Sequence, residues 1–211
     1  MKKLVVFIAL AFMSISQMQA QAQEAGATEL GAIGGVSFAT VSDIQGNGAD
    51  ARVSFNFGGS FEYYFSDRWG IKTGLIYDSK GWADGFVESF DNTGNPQIAT
   101  ADFKLNYLTI PVMANWHFGS TRKWYLNFGG YAGFLLNAEE TAFGNDVKDG
   151  LSSTDLGLAL GIGYKFPITD KVKLCIEYQE QFGLVDVFRN NRGDAVTNRR
   201  SSFNVGALFN L

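Results

Sequence analysis

Between residues 51 and 77 the chain alternates with a period of two. Ala51, Val53, Phe55, Phe57, Gly59, Phe61, Tyr63 and Phe65 share one parity, and Arg52, Ser54, Asn56, Gly58, Ser60, Glu62 and Tyr64 the other. That is the repeat of a strand and is incompatible with the 3.6-residue repeat of a helix. Ser66, Asp67 and Arg68 supply a turn. Trp69, Ile71, Thr73, Leu75 and Tyr77 then resume the apolar parity against Gly70, Lys72, Gly74, Ile76 and Asp78. Two long strands and a tight turn make a hairpin. One of its faces is aromatic and aliphatic; the other is glycine, amide and charge.

The pattern recurs down the chain. The spacing predicts further strands over 30–40, 103–118, 124–136, 154–166, 172–182 and 201–211, making eight. With 25 Gly, 19 Phe and only 3 Pro in 211 residues, the composition suits glycine-bearing aromatic strands. The connections at 66–68, 119–123 and 167–171 are short. Those at 79–102, 137–153 and 183–200 are long, and 43–50 is intermediate. In an antiparallel up-and-down barrel this alternation gathers the short turns and both termini on one rim. Pro111 lacks a donor for the ladder, so a bulge or kink is expected there.

Alternation alone does not say which face is enclosed. Three features point to the apolar face being outside. An eight-stranded barrel has an interior just wide enough to be filled by side chains, and roughly thirty large ones would overfill it. The face carrying Gly58, Gly70, Gly74, Gly129, Gly133, Gly157, Gly161 and Gly163 fits a narrow lumen. Aromatic residues bracket an aliphatic band: Phe65, Trp69, Trp116, Phe118, Trp124, Tyr164 and Phe166 beside the short turns, and Tyr77, Phe134, Tyr178 and Phe203 toward the long loops. Two aromatic girdles match two membrane interfaces. Strands of about 10–14 residues are also long enough to cross a bilayer at barrel tilt. The expected fold is all-β, an eight-stranded antiparallel up-and-down transmembrane β-barrel.

The N-terminus reads as an export signal. Lys2 and Lys3 precede an apolar stretch over 4–13, and Ala20-Gln21-Ala22 has the small-x-small cleavage pattern. Residues 1–22 are expected to be removed, leaving 23–211 as the barrel. Loss of Lys2 and Lys3 takes 17 basic residues to 15 against 21 acids, about −6. A mildly acidic chain without a basic stripe argues against nucleic acid as a partner. Cys175 stands alone and reads as a small packing residue on a strand.

NYLTIPVMANWHF (106–118), GGYAGFLLNA (129–138), TDLGLALGIGYKF (154–166) and EYQEQFGLVDV (177–187) resemble, in this order, the PorT-like outer-membrane β-barrel family of Bacteroidota, often labelled "porin family protein". The resemblance covers nearly the whole of 23–211. It implies an outer-membrane barrel in a Gram-negative envelope and no particular activity, although PorT itself is implicated in protein secretion.

By parity, Arg52, Glu62, Lys72, Asp78, Lys104, Asp155, Lys165, Lys173 and Glu177 are expected inside the lumen. Buried charges need partners, so mixed signs there suggest an ion-paired plug; a narrow charged pore is the alternative. Arg189, Arg192, Arg199 and Arg200 concentrate positive charge in the last long loop, where guanidinium groups could contact lipopolysaccharide phosphates. Arg192-Gly193-Asp194 spells an adhesion-type tripeptide in the same loop. His117, with Ser120 close in sequence, is the one candidate base for a lipid-acting hydrolase; a histidine at the rim is the plainer reading. No cofactor or metal site is expected. The sequence reads best as a non-enzymatic envelope barrel with outer-membrane lipid, including lipopolysaccharide, as its surroundings and its termini in the periplasm. A channel or secretion accessory is the alternative, and a barrel enzyme the more remote one.

Overall fold

The computed structural model describes residues 24–42, 49–90 and 93–211; the expected signal segment lies outside them. Eight strands follow in order: β1 (Thr28–Val41), β2 (Arg52–Tyr64), β3 (Trp69–Phe90), β4 (Pro96–Phe118), β5 (Trp124–Glu140), β6 (Thr154–Pro167), β7 (Val172–Asp186) and β8 (Thr197–Asn210). Each pairs antiparallel with the next, and β8 returns to β1 to close the barrel. Closure leaves no sheet edge around the ring.

The apolar parity faces outward. Phe55, Val112, Leu158, Ile176 and Val205 are exposed, whereas Asn56, Asn115, Asn127, Asp155 and Glu177 are buried. At the short-turn rim the aromatic rings form a continuous chain of contacts, Trp69–Trp116–Phe118–Trp124–Tyr164–Phe166, with centroids 4.6–6.3 Å apart. Toward the other rim, Phe55, Phe57 and Tyr77 cluster together, and Tyr178 packs on Phe203.

Inside, glycines make room for tyrosines on the neighbouring strand. Tyr131 of β5 is registered against Gly157 of β6, and Tyr125 against Gly163. A Cβ on Gly157 would stand 2.6 Å from the Tyr131 ring, and one on Gly163 would collide with Tyr125. Any larger residue at either site would expel the ring from the lumen.

Three expectations are corrected. Residues 79–102 are not a long loop: β3 and β4 run on as paired strands of 22 and 23 residues, to Phe90 and from Pro96. Strand β5 likewise continues to Glu140, β7 to Asp186, and β8 begins at Thr197. Polar residues on these extensions conceal strand periodicity, because their outward side chains are no longer lipid-type. Finally, no bulge falls at Pro111, which stays in register with Tyr131 of β5. The β3–β4 ladder is instead interrupted opposite it, between Thr73–Val112 and Ile76–Thr109, without a shift. The Thr73 hydroxyl donates to the Pro111 carbonyl at 2.8 Å. Register shifts occur nearer the long-loop rim, at Trp82/Gly85, Asn106/Tyr107 and Phe182/Asp186.

Candidate functional site

The barrel interior holds the densest chemistry of the molecule, arranged in tiers. Nearest the short turns, Glu62 of β2 accepts hydrogen bonds from Lys165 Nζ (2.7 Å) and Asn115 Nδ2 (2.6 Å) and pairs with His117 Nε2 (2.7 Å). Lys165 also reaches Glu29 (2.6 Å) and the Tyr64 hydroxyl (2.7 Å), and Lys173 holds the other Glu29 oxygen at 2.8 Å. At mid-height, Lys72 and Asn127 both donate to Glu177, at 2.7 and 2.6 Å. Higher still, Arg200 pairs with Asp78 at 2.8 Å and Lys80 with Asp155 at 2.8 Å. The Lys80 ammonium lies 4.2 Å from the Tyr131 ring centroid, a cation–π contact.

The pairs balance. Lys72, Lys80, Lys165, Lys173 and Arg200 face Glu29, Glu62, Asp78, Asp155 and Glu177. Each of these ten ions therefore has a counter-ion within hydrogen-bond reach, the condition for carrying charge in a low-dielectric interior. A cavity of ≈ 20 Å³ lies between the tiers, lined by Asn56, Lys72, Glu177, Gln179, Arg200 and Asn204 among others, on the scale of a water site.

Above the ions the interior turns apolar. Val41, Trp82, Leu105, Tyr107, Leu135, Ala138, Leu151, Val187 and Val196 form a buried cluster, with Phe103 and Phe188 packed against it. Loop residues 151, 187 and 196 enter it because their backbones are tied together. Ser152 N–H donates to Val187 O (2.8 Å), Val187 N–H to Val196 O (2.7 Å), and Leu151 forms a bridge with Phe188. Beside the cluster, the Glu140 carboxylate receives the amides of Ala142, Phe143 and Asn145 at 2.7–3.2 Å. Burial works to raise its pKa, but the three amides outweigh it and hold the carboxyl below its ordinary value.

Of the residues expected in the lumen, the structure brings together Glu62, Lys72, Asp78, Asp155, Lys165, Lys173 and Glu177. Two sit elsewhere. Lys104 is exposed: it shares the outward parity of Leu108 and Ile110, not the inward parity of Leu105 and Tyr107. Arg52 is half-buried in the gap above Asn56–Asp78, where the β2–β3 ladder stops, and donates to the Ser79 hydroxyl at 3.0 Å. It makes no ion pair among the described residues. Arg200, expected in an exposed loop, is buried in the lumen; its position on β8 shares the inward parity of Ser202 and Asn204. Arg189, Arg192 and Arg199 are exposed.

The reading missed Glu29, Lys80 and His117 as members of the network. Parity held the signal for the first two, which lie two-residue steps from Gly31 and Asp78. His117 lies at the short-turn end, its Nδ1 3.4 Å from Arg122 O, but it points inward and is buried between Tyr64 and Tyr125, with centroids at 5.0 and 5.9 Å. Ser120 is exposed in the turn. Asn191 braces the Arg192-Gly193-Asp194 segment by accepting from Gly193 N–H (2.9 Å) and donating to Asp194 O (2.7 Å). Among the described residues, no three His, Cys, Asp or Glu side chains are placed to hold a metal ion.

Over residues 19–189 the sequence matches the family described as "Outer membrane protein beta-barrel domain". The chain belongs to this family. The apolar band between the girdles is thus its lipid contact, and the membrane is the outer membrane of a Gram-negative bacterium. Neisserial surface protein A (NspA) is similar in fold, with a TM-score of 0.52 at 18% identity over 86% of this chain and 96% of that one. OprG from Pseudomonas aeruginosa gives 0.48 at 14% identity, covering 90% and 98%. Ail, the attachment invasion locus protein of Yersinia pestis, solved with the heparin analogue sucrose octasulfate, gives 0.47 at 15% identity, covering 90% and 100%. At 18% identity the likeness to NspA speaks for the fold, not for a shared activity. A comparison with curated proteins finds no match.

Proposed function

We propose that the protein is a closed, non-enzymatic barrel of the outer membrane that serves the envelope as a structural and surface-interaction element. The observation that carries this reading is the filled interior: a balanced set of buried ion pairs with an apolar cluster across its outer end. Permeation would require breaking those pairs and wetting that cluster, each step opposed by several kcal/mol on the scale of buried-pair disruption. Planar-bilayer recording of the purified protein tests it. The expected record is flat, and reproducible conductance steps would favour the narrow-channel or secretion-accessory reading instead.

Three finer elements belong to the proposal. The short turns and both termini lie in the periplasm, consistent with the usual short inner turns of such barrels. The order of the motifs at 106–118, 129–138, 154–166 and 177–187 favours a PorT-like relationship. Arg189, Arg192 and Arg199, exposed toward the long-loop rim, suit the phosphates of lipopolysaccharide. The absence of an enzymatic role is supported by His117, whose Nε2 is engaged by Glu62 inside the barrel while Ser120 faces solvent in the turn.

A further inference from the structure

Above the lipid band, outward side chains on β4 and β5 become polar, as at Asn106, Lys104, Asn137 and Glu139. The end of the β3–β4 hairpin breaks this pattern. On the β3 side the last neighbour is Asp50, bridged to Ala83 by hydrogen bonds of 2.9 and 3.2 Å. On the β4 side it is Thr141, bonded to Asp102 at 2.9 and 3.0 Å. Between these points the two strands, among the described residues, pair only with each other, forming a ribbon about 24 Å long at strand rise. The cross-strand pairs Phe86–Thr100, Glu88–Ile98 and Phe90–Pro96 share one face of it. On that face Phe86, Phe90 and Ile98 are 61%, 67% and 72% exposed. Glu88 stands between the two phenylalanines and opposite Ile98, with no ion-pair partner among the described residues.

Charge narrows what could cover this face. Residues 83–102 contain Asp84, Glu88, Asp91 and Asp102 and no Lys, Arg or His. A surface of anionic glycolipid would be repelled, and a second copy of the ribbon would set acid against acid. A solitary carboxylate ringed by large apolar groups is complementary to a base with apolar neighbours.

We infer that this face docks a protein segment in which a Lys or Arg is flanked by large apolar residues. The base pairs with Glu88, and its neighbours seat on Phe86, Phe90 and Ile98. The inference rests on the surface-interaction reading above, but not on the lumen being closed.

The test uses the full mature chain in phosphatidylcholine nanodiscs, with empty discs subtracted. The probes are synthetic peptides of alternating Leu–Lys, Leu–Glu and Ser–Lys. The Leu–Lys peptide alone is expected to bind. Glu88→Gln should weaken it about tenfold, and Phe86→Ser/Phe90→Ser/Ile98→Ser should abolish measurable binding. Glu88→Lys should transfer binding to the Leu–Glu peptide, a reversal that a misfolded variant would not produce. Equal binding by wild type and the triple variant would overturn the inference. So would ribbon-dependent binding to lipopolysaccharide vesicles, or dimerisation lost in the triple variant. A flat conductance record with any of these results would leave lumen closure standing while removing the docking face.

Discussion

The short-turn and long-loop ends of the barrel interior are enclosed by the same strands, yet their chemistries are opposite. On β4, Thr109, Asn115 and His117 face inward while Ile110 and Val112 face lipid. A few residues further along the same strand, Leu105 and Tyr107 face inward while Asn106 and Lys104 face out. Strand β5 repeats the exchange, from inward Asn127 and outward Phe128 to inward Leu135 and Ala138 and outward Asn137 and Glu139. The wall keeps its two sides through the register shift at Asn106/Tyr107, which flips the inward parity of β5; what changes is the solvent outside it. Where the wall meets hydrocarbon, the polar residues must be inside and paired, since nothing outside can satisfy them. Where it meets water, the ordinary hydrophobic effect returns and fills the interior with Leu, Val and Trp. Glu180 is an exception on the outward face of β7, near the upper girdle, where it accepts from Ser201 at 2.8 Å and makes a short hydrogen bond with the Tyr178 hydroxyl.

The largest effect should come from breaking the lower tier. Lys165→Met leaves Glu29 and Glu62 buried against a thioether, and urea unfolding in lipid vesicles should register a loss of about 3–5 kcal/mol. A loss below about 1 kcal/mol would mean that water already reaches those carboxylates. Next comes a pair of substitutions on the outward face of one strand. Val112→Arg, in the lipid band, should cost about 2–4 kcal/mol. Lys104→Ala, above the band, should stay within about 0.5 kcal/mol. Similar costs at the two sites would erase the distinction between zones. The smallest effect concerns acid. Because the Glu140 carboxyl titrates below its unfolded value, it stabilises the loop above that value, and the contribution disappears as pH falls through the folded pKa. The amide resonances of Ala142, Phe143 and Asn145 should therefore move at acid pH below the ordinary glutamate range. Glu140→Gln should remove that titration while leaving the barrel signals unchanged.

Much of the wall was legible in the sequence because lipid-facing strands alternate without interruption, as β2 and β6 do. Parity also brought Lys72, Asp155, Lys165 and Glu177 to the inside. Lys104 does not belong with the inward set: it has the parity of Leu108 and Ile110, so counting along β4 places it outside, above the lipid band. Arg200 was hidden by its place beside an arginine-rich loop, and the β3–β4 ribbon by its turn-forming residues and acids. What alternation cannot express is the height at which the surroundings change from hydrocarbon to water. That boundary decides whether a charged residue belongs inside or outside.

The boundary can be located by a spin-label scan along the outward positions of β4, 104 to 114, in Cys175→Ser protein reconstituted in bilayers. Each site is read for collisions with oxygen, which concentrates in hydrocarbon, and with a water-soluble nickel chelate. The expected result is oxygen-dominated relaxation at 110, 112 and 114 and chelate-dominated relaxation at 104 and 106. Chelate access at 110–114, or oxygen dominance at 104 and 106, would contradict the assignment of lipid to one zone and water to the other.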